Sequence, residues 1–80
     1  QRINRAEKVI KRIVGVKQVR VREHNGLARI EVGVTERALF FDAAVLDRVA
    51  FELKRLGFLY VTFDLEGYRS GSMLKTLGGS

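Results

Sequence analysis

Arg20, Arg22 and Arg29 are the side chains of this sequence best suited to chemistry, and that chemistry is anion binding. A guanidinium offers a planar fork of donors that matches phosphate, carboxylate or sulfate in bidentate geometry. The spacing places all three together. Val19 and Val21 alternate with Arg20 and Arg22, and after His24-Asn25-Gly26-Leu27 the alternation resumes with Ala28, Ile30 and Val32 against Arg29 and Glu31. Asn-Gly between two alternating runs is the signal of a two-residue hairpin turn. That turn sets Val21 opposite Ile30, Val19 opposite Val32, Arg22 opposite Arg29 and Arg20 opposite Glu31. One face of the hairpin is then apolar and the other carries three arginines. Like charges directly opposite are unfavourable without an intervening anion, with Tyr60, Thr62 and Asp64 of a third strand available for partial compensation. Two readings stay open at this point: a solvated charged face held by Arg–Glu and Arg–Asp pairs, or a phosphate subsite completed by a neighbouring domain.

Other candidate chemistry is weaker. His24 borders the turn, but no serine or cysteine nucleophile stands at a recognisable spacing, so it reads as a polar turn residue. Gly67-Tyr68-Arg69-Ser70-Gly71-Ser72 follows a strand and has backbone N–H groups able to cradle an anion, yet no helix-opening Gly-Lys-Ser/Thr pattern completes a P-loop. With a single histidine and no cysteine, disulfides and zinc sites are not expected, nor is any metal or cofactor. The net charge of +6 raises nucleic-acid binding, but lysines and arginines are spread along the chain and the sheet face has no interleaved aromatics, so a nucleic-acid partner is not expected.

The elements that must position the arginines follow from period and caps. Asn4-Arg5-Ala6-Glu7 has the spacing of a capping box, and Ala6, Val9, Ile10, Ile13 and Val14 form one stripe of a helix from about Arg5 to Val14, stopped by Gly15. Thr35 caps a short helical turn. Asp42 caps a second helix from Ala43 to about Leu56, with Gly57 as its stop and a core stripe of Val45, Leu46, Val49, Leu53 and Leu56. Phe58 to Leu65 reads as a third strand, with Phe58 and Tyr60 facing away from Leu59, Val61 and Phe63. A strand, a helix and a strand of one sheet imply a right-handed crossover and a parallel pair. The expected architecture is α+β: a two-layer α-β-β-α-β domain, with a three-stranded mixed sheet and two helices on one face.

At 80 residues there is room for one domain, with a core worth roughly 3–5 kcal/mol unless something staples it. Apolar residues make up 46% of the chain, too many for a disordered tail, while no run is long enough to span a membrane. No signal-peptide pattern opens the chain, and a cytoplasmic location is expected. Association, with other copies or with a missing part of the same protein, is the remaining staple. Leu39, Phe40, Phe41, Ala44, Phe51 and Leu59 form a second apolar set outside the core stripe, with one of the adjacent Phe40 and Phe41 expected at the surface. A cyclic homo-oligomer is therefore expected. Residues 1–77 read as the domain; Gly78-Gly79-Ser80 reads as a linker or tail, and with the opening Gln1 suggests an excised or engineered piece.

The hairpin from Val19 to Val32 resembles the "RVR-x-H…ARIEV" segment of the LarE-type ATP-dependent sacrificial sulfur transferases, within the PP-loop ATP-pyrophosphatase superfamily. Leu56-Gly57-Phe58 through Met73 is similar to that family's "LGF-x-YVT-x-DL-x-GYRSGS" ending, and Ala6-Glu7 with Val14-Gly15 to its "AE…LG" helix. The resemblance runs from about residue 5 to 74, and two motifs in this order are fairly specific. It implies a C-terminal domain whose Arg20 and Arg22 contact substrate or nucleotide phosphate, in enzymes that form rings of subunits. It further implies that the ATP-holding loop and the sulfur-donating cysteine lie elsewhere, so this chain alone is not an enzyme. From Leu39 to Phe51, and at Leu59 and Phe63, apolar residues stand where the family leads one to expect more polar ones. Apolar replacement of surface residues is how an interface is built by design. The expected function is non-catalytic oligomerisation, as an engineered homotrimer or building block of a larger assembly. The alternative is a natural phosphate-binding half of a sulfur transferase, inactive alone.

Overall fold

Period-2 alternation and the Asn-Gly turn act as expected in the computed structural model, which describes residues 1–68. Strand β1 (Val19–His24) pairs antiparallel with β2 (Leu27–Val32) in the expected register, including Arg22 opposite Arg29 and Arg20 opposite Glu31. Asn25 and Gly26 adopt φ of 49° and 89°, the left-handed pair that a type I′ turn requires. Strand β3 (Tyr60–Phe63) lies parallel to β2, so the sheet order is β1-β2-β3. Helices α1 (Arg2–Val14) and α2 (Ala43–Arg55) cover one side of the sheet, and a 3₁₀ segment (Val34–Phe40) leads into α2. The α+β class and the mixed three-stranded sheet are as the sequence implies. The end of the glycine-rich stretch beyond Tyr68 and the Gly78-Gly79-Ser80 tail lie outside the described residues.

Several local expectations are corrected by packing. Helix α1 begins a turn earlier than the capping box indicates, because the Gln1 side chain accepts from the Asn4 N–H at 3.1 Å. Glu7 is then released from capping, and its carboxylate accepts the Val21 N–H at 2.9 Å, closing part of the outer edge of β1. Glu36 acts similarly on the approach to that strand, accepting from the Lys17 N–H at 2.9 Å. Thr35 provides no cap; the 3₁₀ segment opens at Gly33 without a side-chain bond. Asp42 does cap α2, accepting from the Ala44 N–H at 2.8 Å. Strand β3 is shorter than the aromatic run suggests, and Phe58 precedes it, just after the turn at Leu56 and Gly57. Its ring is therefore buried under Arg2, whose guanidinium lies 4.5 Å from the ring centroid, instead of sharing the outer face with Tyr60.

The core lies between the helices and the sheet, with Ile10 of α1, Leu53 of α2 and Ile30 and Val32 of β2 at its centre. Phe40 belongs to it. Its ring is 1% exposed and stacks on Phe63 at 4.6 Å between centroids. Leu46, expected in the core stripe, is exposed instead and lines a groove of about 300 Å³ with Phe40, Val49, Ala50, Val61 and Phe63.

Candidate functional site

Because side chains alternate across strands, Arg20 and Arg22 of β1, Arg29 and Glu31 of β2 and Thr62 of β3 share the face away from the helices. Arg22 and Arg29 sit directly opposite one another. Glu31 separates them electrostatically. The Arg22 Nε donates to Glu31 Oε1 at 3.2 Å, and the Arg29 Nε donates to Oε2 at 3.0 Å, with Arg29 Nη2 in ion-pair contact with the same oxygen at 2.9 Å. The Arg22 and Arg29 side chains are about half exposed, whereas the Glu31 side chain between them is nearly buried. Arg20 makes no ion pair with any carboxylate among the described residues, although it stands opposite Glu31 in register; its guanidinium lies 6.0 Å from the Tyr68 ring centroid. The Tyr68 hydroxyl donates to Gln18 Oε1 at 2.7 Å, closing that end of the face.

The compensation expected from the third strand does not arise. The Thr62 hydroxyl donates to the Ala28 carbonyl at 2.8 Å, and the Asp64 carboxylate accepts the Glu66 N–H at 3.0 Å, so neither is turned to the arginines. Among the described residues, Glu31 is the carboxylate that pairs with Arg22 and Arg29. In sequence it is an ordinary outward position of an alternating strand, and only its place between two arginines marks it. His24 is exposed at the hairpin end, two residues beyond Arg22 on the same face of β1, while the neighbouring Glu23 pairs with Arg2 and raises the Arg2 pKa by its hydrogen bond. Among the described residues, no group of His, Asp and Glu is arranged to hold a metal ion, and no helix is long and apolar enough to cross a membrane.

Of the expected apolar set, Phe41 is 62% exposed, Phe51 61% and Leu59 64%, with Leu39 and Ala44 also exposed. Phe40 leaves the set, since packing on Phe63 takes it into the core. The exposed members do not converge. Phe41 sits edge-on to Phe63 before α2, Phe51 lies along the helix under Arg55, and Leu59 is at the opposite end, bonded through its N–H to the Gly26 carbonyl at 2.7 Å. Leu46, Tyr60 and Leu65 extend the exposed apolar surface beyond the residues expected from sequence.

The molecule is thus a small two-layer α+β domain with a basic sheet face and several separately exposed apolar side chains. No family model matches the chain. It is 51% identical over 73 residues to pyridinium-3,5-bisthiocarboxylic acid mononucleotide synthase of Lactiplantibacillus plantarum, covering 90% of this chain and 25% of that protein. It is also 43% identical over 77 residues to an uncharacterized protein of Synechocystis sp., covering 96% of this chain and 28% of that one. The chain therefore spans about a quarter of the length of the curated relatives it matches.

Proposed function

We propose that this chain is a non-catalytic association domain, corresponding to the C-terminal part of a LarE-type sulfur transferase. The observation that carries this reading is the exposure of Phe41, Phe51 and Leu59, each more than 60% open, on a domain of 80 residues. So small a core gains much from covering such side chains with a second copy. A homotrimer, as a building block of a larger symmetric assembly with an α2 face redesigned for contact, is the form proposed. The similarity to a quarter of a named synthase, together with the lack of any cysteine, supports the absence of sulfur-transfer chemistry in this chain alone. Light scattering coupled to size exclusion tests it: an oligomeric mass is expected for the unaltered chain and monomers for Phe51→Glu. A monomeric mass for the unaltered chain at micromolar concentration overturns the reading.

A second reading is favoured by a specific observation. Arg22 and Arg29 are held on one buried carboxylate with outward nitrogens unused among the described residues. We propose that this face keeps a phosphate subsite, active in binding and completed by residues of a longer protein. Calorimetric titration with inorganic phosphate should give saturable heat that Arg22→Ala abolishes. Equal heats from both proteins refute it.

A further inference from the structure

Glu31 is the one charged residue buried among the described residues, and it is buried on the face that alternation turns toward solvent. A carboxylate removed from water is costly unless hydrogen bonds replace its hydration. Both oxygens accept such bonds, Oε1 from Arg22 and Oε2 from Arg29, and only 7% of the residue remains accessible. The engagement is asymmetric. Arg22 uses its Nε alone, whereas Arg29 presents its Nε and Nη2 edge. Each guanidinium carries five N–H donors in a rigid plane, so most remain directed away from the carboxylate. Left alone, two arginines directly opposite, about 5.5 Å apart at Cα in a hydrogen-bonded pair, would swing apart.

We infer that Glu31 is the positioning residue of the anion site: it clamps Arg22 and Arg29 by their inner edges so that their outer nitrogens converge on one ligand. This inference rests on the phosphate-subsite reading above. Charge defines the ligand class further. Three arginines against one glutamate leave the face two positive charges, which suits a dianionic phosphate or phosphate monoester over a monocarboxylate.

Glu31→Gln gives a test by sign. Were Glu31 only a negative charge near the arginines, its neutralisation would make the face more attractive and phosphate would bind more tightly. As a clamp, its neutralisation lets the guanidiniums splay, and binding should weaken about tenfold, the loss of one well-aligned charge-assisted hydrogen bond. Glu31→Asp keeps the charge but is one methylene too short to reach both Nε groups, and should weaken binding as well. Calorimetry with inorganic phosphate on the unaltered chain, Arg22→Ala, Glu31→Gln and Glu31→Asp reads these effects. Nuclear magnetic resonance of the arginine Nε–H groups gives a direct readout: two sharp, protected signals in the unaltered chain, averaged with the bulk in Glu31→Gln while the backbone spectrum stays folded. If the unaltered chain binds no phosphate, or Arg22→Ala binds equally, the subsite reading fails. If Arg22→Ala abolishes binding but Glu31→Gln binds as tightly or more tightly, the clamp alone is overturned.

Discussion

Phe40 and Phe41 are neighbours in sequence with opposite environments, and a matched pair of substitutions should separate them. Phe40 is 1% exposed and stacked on Phe63, whereas Phe41 is 62% exposed and meets the same ring only edge-on at 6.4 Å between centroids. Phe40→Leu keeps an apolar side chain but removes a stacked ring pair worth about 0.5–1.5 kcal/mol and leaves a small void beside the groove. A total loss of about 1–2 kcal/mol is expected, the groove beside Val61 and Leu46 allowing partial collapse. For a domain of this size each kcal/mol lowers Tm by about 4–8 °C, so the melt should fall by roughly 5–15 °C. Phe41→Leu should change the low-concentration melt by no more than about 0.5 kcal/mol, as an exposed substitution does. If Phe41 lies in a contact between copies, its effect should grow with protein concentration while that of Phe40 stays constant. Circular dichroism melts at two concentrations measure both. Equal losses for the two substitutions at low concentration would refute the division of the pair between core and surface.

Two further outcomes follow from local geometry. Asp42→Ala removes the side chain that accepts the Ala44 N–H and should cost about 0.5–2 kcal/mol, read as a lower denaturant midpoint with an unchanged m-value. Gly67→Ala should destabilise by more than about 1 kcal/mol, since φ is +73° there and an added Cβ would lie 2.5 Å from the Val32 carbonyl oxygen. The amide of Tyr68, which donates to that same oxygen at 2.9 Å, should lose hydrogen-exchange protection; an unchanged exchange rate would contradict the close approach.

Much of this fold was legible because its signals are local. Asn25-Gly26 demands a left-handed turn, and the turn dictates the pairing of every residue from Val19 to Val32, including the arginines on one face. Asp42 and Gly15 mark helix ends through bonds made within a few residues. The capping box at Asn4 misled for the same reason: local spacing says what Glu7 can do in an isolated helix, while its carboxylate found a better use on the Val21 N–H, across 14 residues of sequence. Phe58 likewise escaped strand alternation because it lies between the turn after α2 and the start of β3 at Tyr60, where it is buried in the core.

The composition and spacing of this chain determined by themselves an α+β sheet with a basic outer face, since alternation and turn chemistry act at short range and need no tertiary partner. Which of two adjacent phenylalanines is core, and which carboxylate holds the arginines, was decided only by tertiary structure. Phe40 is buried because Phe63, from the other side of α2, offers its ring. Glu31 is buried because two arginines from neighbouring strands close over it, and burial of a charge is a property of what surrounds it rather than of its place in the sequence.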